Sequence, residues 1–94
     1  MMHDNRQLFE IRHEVWFELV LQRERWGPQN HPPSVWMMIL GEEVGEAQKA
    51  ALEAWAANAD LAKNLHLKEL RAELIQVAAV AMSVVSSLDR NELK

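Results

Sequence analysis

Three glutamates sit at helix positions that would ordinarily be apolar. On a wheel of about 100° per residue, Glu43 and Glu46 fall inside the arc of Val35, Trp36, Ile39, Leu40, Ala47, Ala50 and Ala54, and Glu73 falls among Val77, Val80 and Val84 of a later, more apolar segment. All three are expected to point inward. An ionised carboxylate taken out of water costs several kcal/mol unless something pairs with it, and carboxylates of one sign hinder each other's ionisation. A divalent cation removes that cost. Carboxylate oxygens are the ligands that Mg²⁺ prefers, with Mn²⁺ as a substitute, so the pattern points to a metal site between helices, suited to catalysis.

The elements that must position these acids can be read from periodicity. From about Asp4 to Trp26, Leu8, Ile11, Val15, Trp16, Leu19 and Val20 recur at three- and four-residue steps, which predicts an amphipathic helix. Gly27-Pro28 stops it, and the proline-rich stretch from Pro28 to Pro33 must be a loop. Ser34 is the expected cap of a second helix, about Val35 to Ala57, which carries Glu42, Glu43 and Glu46. Gly41 and Gly45 weaken that helix, and a close helix neighbour would offset the loss. Asn58 to Asn64 reads as a connection, with room for a short extra turn. A third helix, about His66 to Leu88, holds the nearly unbroken apolar run from Leu74 to Val85. A helix apolar nearly all round must be covered nearly all round, more than two companions in one short chain can manage.

The expected architecture is therefore one all-α domain spanning 1–94: a small bundle of three main helices, completed into a four-helix-type core by forming a homodimer or homotetramer. With 94 residues there is no room for a second domain. The chain has no cysteine, which removes disulfides and thiolate metal sites and makes the cytoplasm the default location. A net charge of −4 without a basic stripe argues against nucleic acid. The apolar stretch Val77 to Val85 is too short to span a bilayer, so no membrane role is expected.

On the third helix Gln76 lies beside Glu69 and Ser83, making a polar stripe on an apolar rod. The order EEVGE at 42–46 then ELIQ at 73–76, with WGPQNHP at 26–32 before them, resembles the MazG-like all-α nucleoside triphosphate pyrophosphohydrolases, and in particular their small phage- and cassette-type members. The similarity spans about Arg25 to Met82. It implies Mg²⁺ held by Glu43, Glu46 and Glu73, with Glu42 as a helper carboxylate behind them. Gln76 stands where the general pattern has Asp; its amide oxygen can coordinate but brings no charge, so either it is a weaker ligand or Glu69 or Glu53 contributes. The implied reaction is hydrolysis of a nucleoside triphosphate, above all deoxynucleotides, canonical or modified, to monophosphate and pyrophosphate, in nucleotide-pool cleaning. Glu43 or Glu46 would be the general base.

In the loop, Trp26 offers a stacking surface and Gln29, Asn30 and His31 offer hydrogen bonds to a base edge, while Arg25 and Lys49 could meet phosphate. Plainer roles exist for each. A solvated acidic face suits Glu42 best, His31 could be structural, and Trp16, Trp36 and Trp55 fit core or interface. His3, His13 and His66 form no His-x-x-x-His pair, which disfavours zinc. The competing functional reading is a non-catalytic helical module that senses nucleotide or dimerises, supported by the neutral Gln76.

Overall fold

The computed structural model describes the backbone of residues 2–94 and the side chains of residues 5–94. Three helices follow in order, α1 (Met2–Trp26), α2 (Pro33–Ala56) and α3 (Asp60–Asn91), with no strand among the described residues. The fold is all-α. Helix α1 ends where Gly27 takes φ 70°, a left-handed conformation that only glycine adopts cheaply, and the Gly27 amide donates to the Arg23 carbonyl at 2.7 Å. Arg23 and Arg25 in the last turn complement the negative end of the helix dipole.

Ser34 does not cap α2. The helix begins earlier, with Pro33 in its first turn, and the carbonyl of Pro32 accepts from the amides of Val35 and Trp36, each at 3.0 Å. Proline is pre-set for the first helical turn and brings no amide that needs a partner, so the start moves onto the prolines and Ser34 falls inside. The connection after α2 is also shorter than expected. Only Ala57 to Ala59 separate the helices, and α3 starts at Asp60 rather than His66. Asp60 suits a first turn electrostatically, while Leu61, Ala62 and Leu65 are good helix formers, so residues that resembled a turn begin a helix.

Helix α3 is the centre. Both other helices pack on it and do not approach one another, so the three form a layer rather than a closed bundle. One core cluster joins Val15 and Leu19 of α1 to Ala79, and another joins Trp36 of α2 to Val80 and Val84. The α1 face is narrower than its periodicity suggests: Ile11 and Val20 are half-buried, whereas Leu8 and Trp16 are exposed. Trp55 is exposed too, so of the three tryptophans assigned to core or interface only Trp36 lies in the core of one chain. Gly41 and Gly45 have open space around them, not a close helix neighbour. Among the described residues α3 is the one helix long and apolar enough to cross a membrane by length and composition, a test that the central helix of a soluble protein also passes.

Candidate metal centre

Antiparallel packing of α2 on α3 brings the three glutamates together. One oxygen each of Glu43, Glu46 and Glu73 lies within 4.8 Å of the others, although they come from two helices and span 30 positions of sequence. The expectation that all three point inward needs one correction. Glu43 and Glu73 are half-buried, but Glu46 is exposed and reaches the group from its rim. Its wheel position is at the edge of the contact arc because α3 covers a narrow strip of α2 and nothing covers the flank.

Oε2 of Glu43 and Oε2 of Glu73 are buried with no hydrogen-bond partner. Two orphaned buried acceptors are costly. Burial, followed by the negative charges of Glu46, Glu18 and Glu42, pushes the Glu43 carboxyl above its ordinary value. Burial also leads in raising Glu73, joined by a hydrogen bond with Glu46 and by the charges of Glu46, Glu43 and Glu69. The donor set is all oxygen, two of its three carboxylates carry an orphaned buried oxygen, and no lysine or arginine pairs with any of the three among the described residues. These residues fit a hard divalent cation such as Mg²⁺ or Mn²⁺.

Beside the acids, a cavity of about 520 Å³ lies over α3 between α1 and α2. Glu43 and Gln76 line one end, Trp36, Ile39, Val80 and Ser83 its middle, and Arg23, Arg25, Trp26 and Arg90 the other end. From Gln76 to Arg90 the helix rises about 20 Å. Gln29 and His31 also line it, joined by a 3.3 Å hydrogen bond, and His31 sits edge-on to Trp36 with ring centroids 4.9 Å apart. The Arg25 guanidinium lies 4.9 Å above the Trp26 ring. The Trp36 indole nitrogen is buried without an acceptor.

Several expected site residues lie elsewhere. Asn30 does not line the cavity; its side-chain oxygen accepts from Arg90 at 3.3 Å and Asn91 at 3.1 Å, pinning the loop to the end of α3. Lys49 is exposed and outside the cavity, because three residues on from Glu46 the helix has turned it outward. Glu42 is exposed, and its charge adds to the raising of the Glu43 carboxyl. Glu69 and Glu53 do not back up Gln76. Each has an oxygen 3.2 Å from Nδ1 of His66, forming a second group near the α2–α3 turn, with only the charge of Glu69 felt at Glu73.

Sequence reasoning passed over Glu18 and Gln22 of α1, which line the cavity and bond to each other at 2.9 Å. Their wheel positions were the available signal, since both lie on the side of Ile11 and Val15. Arg23 and Arg90 were also missed, Ser83 was placed on the polar stripe of the third helix without a role, and the grouping of His66 with Glu69 at the i, i+3 spacing and with Glu53 across the turn was not foreseen. The side chain of His3 lies outside the described residues. Neither the known protein families, nor characterised proteins, nor solved structures give a match to this chain.

Proposed function

We propose that the protein is a Mg²⁺-dependent nucleoside triphosphate pyrophosphohydrolase of the MazG-like kind, acting on deoxynucleotides, canonical or modified, in nucleotide-pool cleaning. The observation that carries this reading is the convergence of Glu43, Glu46 and Glu73, with buried orphaned oxygens on Glu43 and Glu73, next to a nucleotide-sized cavity that Glu43 lines and the other two do not. A bound divalent cation would offset triphosphate charge and lower the pKa of a water. The water oxygen bonds to phosphorus as the α–β bridging bond breaks, leaving monophosphate and pyrophosphate. Glu46, the exposed member of the group, is the carboxylate that takes the proton of that water in this reading. Gln76 offers an amide at the same end.

The rest of the cavity suits the nucleoside. Trp36, Ile39 and Val80 give an apolar floor, while Gln22, Gln29, His31 and Ser83 offer hydrogen bonds to a base or sugar. Arg23, Arg25 and Arg90 make the far end basic. The neutral Gln76 favours the second reading, a module that binds nucleotide without turning it over.

A panel of canonical and modified dNTPs with Mg²⁺ tests the first reading by product analysis. Pyrophosphate and monophosphate should appear, and Glu46→Ala or Glu73→Ala should abolish release while helical circular dichroism persists. Full activity in both variants, or nucleotide binding with no turnover of any triphosphate, would reject it.

A further inference from the structure

We propose that the arginine end of the cavity is an oxyanion site, and that the nucleotide held there carries an acidic group on its base. The nature of the ligand rests on the nucleotide reading above, while the site itself does not. A chain of net charge −4 with 10 lysines and arginines in all places three of them, Arg23, Arg25 and Arg90, at one end of one cavity. Among the described residues none of the three pairs with a carboxylate. Their acidic neighbours in sequence, Glu24, Asp89 and Glu92, do not line the cavity. The helix ends that carry the arginines do not account for this charge. A helix C-terminus amounts to about half a negative charge, so the last turns of α1 and α3 offset about one of the three positive charges and leave about two.

Two of the guanidiniums are already held in place. Arg90 donates to Ser86 Oγ at 2.6 Å and to Asn30 Oδ1 at 3.3 Å, and Arg25 stacks over Trp26. A planar guanidinium bound on one edge or one face keeps other N–H groups for a carboxylate or phosphate. All three arginines are exposed, open to a ligand that enters from solvent. A separate observation also calls for an acceptor. Trp36 is only 5% exposed and lines the same cavity, yet its indole N–H has no partner. A ligand oxygen in the cavity satisfies that buried donor.

Length puts the acidic group on the base. Along α3, Gln76 and Arg90 are about 20 Å apart. At ordinary bond lengths the far edge of a base lies about 10 Å from its α-phosphorus, and an arginine side chain reaches back about 6 Å. A nucleotide whose phosphates sit with Glu43 therefore ends about 4 Å short of the guanidiniums, close to the size of one carboxylate. A group on the sugar falls shorter still. A plain base leaves the arginines to water, whereas a base that bears a carboxylate meets them through paired N–H···O bonds, shorter and stronger than neutral ones.

Titration calorimetry in EDTA, where no cation joins the glutamates, isolates this end of the cavity. The probes are 5-carboxy-2′-deoxycytidine and 7-carboxy-7-deaza-2′-deoxyguanosine, one pyrimidine and one purine. At least one should bind about ten-fold more tightly than the same nucleoside without its carboxylate. Arg23→Gln should remove most of that advantage and Arg23→Lys should restore part of it, a recovery that a folding defect would not show. Acidic nucleosides that bind no better than their parents, or an advantage that survives Arg23→Gln, would overturn the proposal. With Mg²⁺, kcat/KM for the triphosphate of the favoured acidic nucleoside should exceed that of its parent by a similar factor, and Arg23→Gln should shrink this ratio. Both triphosphates slowed alike, with the ratio unchanged, would put the arginines on the triphosphate and overturn it as well. Selective binding in EDTA with no triphosphate hydrolysed would reject the hydrolase reading and leave the oxyanion site standing.

Discussion

Glu73→Gln should stabilise the metal-free protein and remove its response to Mg²⁺. The substitution keeps the shape of the side chain and deletes one of three charges whose oxygens lie within 4.8 Å of one another. At that separation two unit charges repel by about 1 kcal/mol in water-like surroundings and about 3.5 kcal/mol at an effective dielectric of about 20. Glu46 is exposed and Glu73 only half-buried, so the screened figure applies; relieving two pairs is then worth about 2 kcal/mol at most. In a domain of this size each kcal/mol raises Tm by about 4–8 °C, so the rise is roughly 8–16 °C at most. Wild-type protein should gain a comparable amount from the cation, about 1.4 kcal/mol at ten times Kd and about 2.7 kcal/mol at a hundred times. Scanning calorimetry of both proteins, with and without Mg²⁺, should show the variant melting higher without metal and the wild type catching up with it. Equal Mg²⁺ responses, or a variant that melts lower in chelator, would refute this reasoning.

The raised carboxyls carry a pH dependence of definite sign. Glu43 and Glu73 hold protons more tightly in the fold than in the unfolded chain, so their contribution is fully present below the ordinary value of 4.5 and is lost as pH rises through the raised values. The increase in Tm on adding Mg²⁺ should therefore grow as pH rises from 4.5 through the raised values, and a constant increment would count against a carboxylate site. Glu14, lowered by its hydrogen bonds to Arg71, runs the other way and loses its contribution as pH falls below 4.5. Gln76→Asp should tighten Mg²⁺ binding several-fold by titration calorimetry and raise any hydrolysis; weaker binding would place Gln76 outside the ligand set. Trp36→Ala should cost about 3–5 kcal/mol in denaturant unfolding, since Trp36 ties α2 to Val80 and Val84, whereas Trp36→Phe should keep most of that stability.

How much of this was legible in the sequence depended on whether the signal was local. The helices, the stop at Gly27 and the acids of α2 and α3 follow from periodicity and turn chemistry within a few residues of one another. The wheel located Glu43 and Glu73 correctly because the apolar residues around each define a face. It overstated Glu46, since a wheel shows direction but not how wide a strip a neighbouring helix will cover. Asn30 and Lys49 had suitable chemistry, but where they lie depends on the end of α3 and on the turn of α2. Glu18 and Gln22 share the inward side of α1 with Ile11 and Val15, but nothing on α1 reveals that this side crosses α3 beside the acids. His66 resembled a lone histidine until the short Ala57–Ala59 turn brought Glu53 beside it.

Location of a bound cation tests the central claim most directly. Crystals soaked in Mn²⁺ and measured at the manganese absorption edge should give an anomalous peak within bonding distance of Glu43, Glu46 and Glu73. No peak there, or a peak only at Glu53, His66 and Glu69, would contradict the account.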